Sequence, residues 1–98
     1  MLHTVNKSPF QNGTLASCLR FMNSGDVLLL LEDGVLAAAA GTRCSAMIEQ
    51  LLQSNPEVYA LTADLDARGL KRVIPGVKQI DYEGFVDLVA QHSMHAWL

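Results

Sequence analysis

The chain has little charge and no run of it. Only 17% of its 98 residues are charged, the net charge is −3, and Lys and Arg are scattered. This excludes the basic stripe with which a protein tracks phosphates, so no direct nucleic-acid contact is expected. No uncharged apolar stretch approaches the ~20 residues that span a bilayer, and no membrane partner is expected. The opening MLHTVNK lacks the basic start and apolar core of a signal peptide. A soluble, cytoplasmic protein is the expectation. Cysteine is scarce: Cys18 and Cys44 stand alone, with no CxxC pair. That disfavours a zinc site or disulfide framework and leaves two free thiols in a reducing compartment. There is no GxGxxG or P-loop spacing, no internal repeat and no linker. No cofactor or resident metal is expected.

What the chain has in excess is apolar side chains. They make up 50% of the residues, and the mean hydropathy is +0.21. A domain this small buries a limited fraction of its surface on its own. The surplus implies a second buried surface, against another subunit.

Residues 1–98 are one domain's worth of chain. LHTV (2–5) reads as a short first strand, and NKSPFQNG as a loop punctuated by Pro9, Asn12 and Gly13. Thr14 can cap a helix running to about Asn23, with Leu15, Cys18, Leu19 and Met22 on one apolar face. VLLLL (27–31) does not alternate, which suits a strand covered on both faces. VLAAAAG reads as a short helix stopped by Gly41. Thr42 to Gln53 reads as another, ended by Asn55 and Pro56. EVYALT predicts the third strand, and Thr62 to Arg68 a helical turn closed by Gly69. VIPG is a break whose Val73 and Ile74 can touch an edge. VKQIDY holds the last expected strand. Asp81 reads as the N-cap of EGFVDLVAQH, and SMHAWL as a tail. Strands alternating with helices predict a small single-domain, three-layer α/β fold with a parallel sheet flanked by helices.

Candidate sites each carry two readings. Cys18 sits near a helix start, where partial positive charge favours a thiolate, with Lys7 and Arg20 close in sequence. It also lies on the apolar face, where a lone cysteine is ordinarily inert packing. Cys44 begins the next long helix and reads as packing by the same argument. Glu32 and Asp33 follow the expected central strand, at the edge where open α/β sheets bind ligands. Helix capping explains Asp33 more simply. His92 and His95 have a spacing that can share one helix face, but two histidines make a poor metal site. His3 reads as a satisfied, half-buried ring within a strand. Trp97 and Leu98 read as a clamp on the domain or an anchor on a partner.

Taken in order, LHTVNKSPF, SCLRF, LLLLEDGVLAAAAGTR, VYALTADLDARGL, VIPGV, IDYEGFVDL and the terminal AWL closely resemble the DsrH/TusB family over nearly the whole chain. The resemblance implies a small α/β subunit of a cytoplasmic heterohexamer that passes persulfide sulfur between carrier proteins. In the DsrEFH branch the sister subunits are DsrE and DsrF, the acceptor is DsrC, and the setting is sulfur oxidation. In the TusBCD branch the sulfur goes towards wobble 2-thiouridine in tRNA. LHTVNKSPF, SCLRF and VIPGV look more like DsrH, whose first helix carries a cysteine. The expectation is therefore a DsrH-like subunit with DsrE-like and DsrF-like partners and a DsrC-like carrier. A TusB-like subunit, or a purely structural one, is the alternative. Cys18 matches the DsrH cysteine and is the candidate for persulfide handling or carrier contact. There its thiolate would attack the outer sulfur of a donor persulfide, forming one S–S bond and releasing the donor thiolate. The family's main sulfur-carrying cysteine belongs to DsrE or TusD, so an auxiliary role fits better than a solo enzyme.

Overall fold

A computed structural model describes residues 1–55 and 57–98. Five parallel strands form one sheet: β1 (Leu2–Val5), β2 (Val27–Leu30), β3 (Val58–Leu61), β4 (Lys78–Ile80) and β5 (Met94–Trp97). Their order is β4-β3-β2-β1-β5. The helices are α1 (Thr14–Phe21), α2 (Ser45–Ser54), α3 (Thr62–Ala67) and α4 (Tyr82–Gln91), with a 3-10 segment at Glu32–Ala38. The sequence-predicted fold class is the observed one: a parallel sheet with helices on both sides.

The central strand explains itself. All four residues of β2 are buried, as an unalternating VLLL requires when both faces are covered. On one face, Val5, Leu28, Leu30, Val58 and Ala60 pack with Leu15 and Cys18 of α1, Val35 of the 3-10 segment, Ile48 of α2 and Leu65 of α3. On the other face, among the described residues, Leu2, Val27 and Leu29 meet Phe85 and Leu88 of α4, with Leu31, Tyr59 and Ile80 beside them.

The chain steps outward from β1 to β4, then returns to lay β5 against the far side of β1. Right-handed crossovers change face when the chain reverses direction, which places α4 opposite α1.

Local chemistry sets the boundaries. Asp81 caps α4 by accepting from Gly84 N at 2.8 Å. Gly69, at φ 64°, closes α3. Thr14 is the first residue of α1 rather than its cap; Asn12 Oδ1 accepts from the Thr14 amide at 2.9 Å. The short Ala-rich helix expected up to Gly41 is a 3-10 segment that starts earlier and ends at Ala38, where Ala39 leaves it to bridge Val73. Val73 thus does touch an edge, but outside the sheet. Thr42–Cys44 form a turn before α2, with Ser45 N donating to Thr42 O. Asn55 caps the end of α2; the expected role of Pro56 in ending it lies outside the described residues.

SMHAWL is a strand, not a tail. Met94–Trp97 pair in register with Leu2–Val5, and Leu2 N donates to Ser93 O at 2.8 Å. Four residues bearing His and Met carry almost no strand signal. They become one because β1 would otherwise expose a row of unpaired backbone groups.

Candidate functional site

Three places hold the residues that the sequence singles out. The first is the seam between α1 and the sheet. Cys18 is the fifth residue of α1, beyond the turn where the helix dipole acts. Its side chain is 0% exposed and belongs to the main core. Burial pushes its thiol up to about 12, and the negative charge of Asp26 adds to the rise. At that value almost none of it is thiolate near neutrality, the reverse of what persulfide exchange needs. Arg20 does not offset this: its guanidinium reaches Ser17 Oγ at 3.4 Å on the exposed side. Cys44 is the N-cap residue of α2, with its amide on Thr42 Oγ1 at 3.2 Å and Sγ 3.8 Å from the Pro9 carbonyl. Both thiols are free and buried.

The second place is the amino edge of β1 and β2, where sequence reasoning missed Asp26. This carboxylate accepts from the N-terminal ammonium of Met1 at 3.1 Å, from His3 Nε2 at 2.9 Å and from the Asn23 amide at 3.0 Å. Its backbone carbonyl accepts from Asn55 Nδ2. The Asn23 amide first, then His3 and the N-terminus, hold its carboxyl down at about 2. His3 in turn accepts at Nδ1 from Trp97 Nε1, 3.1 Å away. An indole can only donate, so this bond fixes the neutral ring with its proton on Nε2, pointing at Asp26. His3 is therefore fully buried rather than half-buried, and both nitrogens are satisfied. Trp97 is a clamp on the chain's own body. The signal for Asp26 was an acid placed directly before an apolar strand; nothing local could link residues 3 and 97.

The third place is the carboxyl edge of β2 and β3. Here EDG and DLDARG meet, although about thirty positions separate them. Asp64 Oδ2 accepts from the Glu32 amide at 2.6 Å. Arg68 donates through Nε and Nη2 to Asp33 Oδ1 at 3.0 and 2.9 Å. Glu32 is held at φ 50°, an uncommon left-handed conformation for a side-chain-bearing residue. Gly34 passes so close to β1 that a Cβ would lie 2.0 Å from the Val5 carbonyl oxygen. Asp33 does not cap the segment that follows it; it is the exposed anion of an Arg68 pair. The arrangement is a brace joining two loops.

His92 caps the end of α4 while His95 lies on β5, so the shared helix face expected for them does not exist. Among the described residues no three His, Cys, Asp or Glu side chains group in a way that could hold a metal. No helix among them is long and apolar enough to cross a membrane.

A family profile described as "DsrH like protein" matches residues 7–95. Protein TusB of Escherichia coli O81 (strain ED1a) is 46% identical over 99 aligned positions, which cover 99% of this chain and 100% of that protein. Protein TusB of Shigella flexneri is 44% identical over the same shares. These relatives are TusB proteins, whereas LHTVNKSPF, SCLRF and VIPGV look more like DsrH.

Proposed function

Because the chain belongs to the DsrH/TusB family, we propose that it is a TusB-like subunit of a persulfide relay serving 2-thiouridine synthesis at the tRNA wobble position. Its partners in this reading are TusC-like and TusD-like sister subunits, and it works in the cytoplasm. The end-to-end similarity to TusB at 46% identity is the observation that carries it. This replaces the sulfur-oxidation setting and the DsrC-like carrier as the preferred assignment.

Within the complex this chain supplies shape rather than sulfur chemistry. A sulfur carrier needs an ionisable thiol within reach of a donor. Cys18 has neither exposure nor a lowered pKa. We assign it to packing between α1 and the sheet, and leave persulfide transfer to a cysteine of a sister subunit.

The test is complementation in an Escherichia coli strain lacking TusB. The expected result is recovery of wobble 2-thiouridine in digested tRNA by nucleoside mass spectrometry. Cys18→Ala should recover it to the same level. No recovery with the wild-type chain overturns the tRNA assignment. Recovery lost with a folded Cys18→Ala chain, together with a sulfur adduct on Cys18 in the wild type, restores the chemical role.

A further inference from the structure

We infer that the outward stripe of α4, formed by Tyr82, Val86 and Val89, is a docking surface for a sister subunit whose apolar face is rimmed by Lys or Arg. The inference rests on the subunit reading above and says which face of this chain the partner covers and what chemistry it brings.

The stripe follows from helix geometry. At 3.6 residues per turn, Tyr82, Val86 and Val89 fall within about 60° of one another. They are 60%, 64% and 38% exposed. The chain's own core does not use them: Phe85 and Leu88, on the adjoining arc, make the contact with the sheet. No residue of α4 is fully buried. A surface helix needs one apolar stripe, and α4 carries an apolar arc wide enough for two contacts.

Charge selects the occupant. Glu83 and Asp87 border the stripe on the side away from the sheet, and α4 contains no Lys or Arg. A second copy packed antiparallel on this helix across a two-fold axis would set those acids against their own counterparts. Anionic lipid and nucleic acid are repelled for the same reason. A protein face with cations around an apolar centre is complementary on both counts, and the fully desolvated centre would carry most of the affinity.

The full chain is co-expressed with both sister subunits, and the assembly is measured by co-purification and light scattering. Val86→Lys and Tyr82→Lys should keep the wild-type melting curve, since both positions are exposed, and recover the sisters roughly tenfold less well. Glu83→Lys combined with Asp87→Lys should also weaken assembly, and most at low salt. If Val86→Lys and Tyr82→Lys assemble like wild type, the stripe is not the interface, while the subunit reading stands. If the wild-type chain recovers neither sister, the subunit reading fails and takes this one with it. A wild-type homodimer broken by Val86→Lys would overturn the choice of partner.

Discussion

The two faces of the sheet are built to different degrees of completion. One face is closed by α1, the 3-10 segment, α2 and α3, whose core members Leu15, Val35, Ile48 and Leu65 are essentially inaccessible. Among the described residues, the other is closed by one helix, α4, through partly buried Phe85 and Leu88. Adjacent strands lie ≈ 4.8 Å apart, so five strands are wider than one ~10 Å helix can cover. The first face holds the chain in its fold. The second spends apolar residues where the isolated chain gains little from them. The surplus of apolar side chains noted in the sequence is thus localised, and substitutions on the two faces should differ sharply in kind.

The largest effect is expected from Gly34→Ala, on the closed face. The new methyl would sit 2.0 Å from the Val5 carbonyl oxygen and 2.8 Å from its carbonyl carbon, both backbone atoms of a buried strand. Neither can rotate away as a side chain could. A loss of about 4 kcal/mol or more is expected, measured by urea denaturation, or no folded protein at all. A loss below about 1 kcal/mol would show that the EDG loop is free to shift and that the closed face is less rigid than described.

Next is Cys18→Ser. The hydroxyl enters a core site where the sulfur has apolar neighbours, and a buried hydroxyl without a partner costs about 1–3 kcal/mol. Cys18→Ala, which leaves only a small void, should cost less. Alkylation gives an independent check. At neutral pH the folded chain should leave Cys18 unmodified by iodoacetamide, whereas the denaturant-unfolded chain reacts fully. Rapid modification in the folded state would reopen the reactive reading.

What the sequence made legible follows from range. VLLLL announced a doubly covered strand because its neighbours in sequence carry the whole signal. The stripe Leu15, Cys18, Leu19, Met22 announced a buried helix face, and the inert reading of Cys18 was already contained in it. β5 was not legible. Its pairing is set by the free edge of β1, some ninety positions away, and not by any alternation in MHAW. The brace was half legible: EDG and DLDARG stood out singly, but nothing in either says that Asp64 and Arg68 reach Glu32 and Asp33. The DsrH leaning was read from three short segments, LHTVNKSPF, SCLRF and VIPGV, whereas the similarity to TusB is spread thinly along the whole chain.

The amino edge, where both faces meet, gives a smaller effect. Asp26 is held near 2 against an ordinary value of 3.8. Its stabilisation is therefore present in full above about pH 4 and is lost as the pH falls towards 2. After allowance for solvent screening this is worth about 1–2 kcal/mol. Asp26→Asn should flatten that part of the acid-unfolding curve while lowering stability at neutral pH. Unchanged acid sensitivity in the variant would mean that other carboxylates govern it.

The smallest effect is expected on the open face, and its smallness is informative. Val86 is 64% exposed, so Val86→Ala removes little buried area and should change the stability of the isolated chain by less than about 0.5 kcal/mol. On the closed face, Ile48→Ala should cost about 2–5 kcal/mol. Measured in the isolated chain by urea denaturation, the two substitutions separate residues that hold the fold from residues that wait for a partner. In the assembled complex the ranking should narrow, because Val86 then loses a buried contact as Ile48 does. A cost for Val86→Ala that stays negligible in both settings would mean that α4 is already finished as it stands, and that the two faces differ in depth of packing but not in purpose.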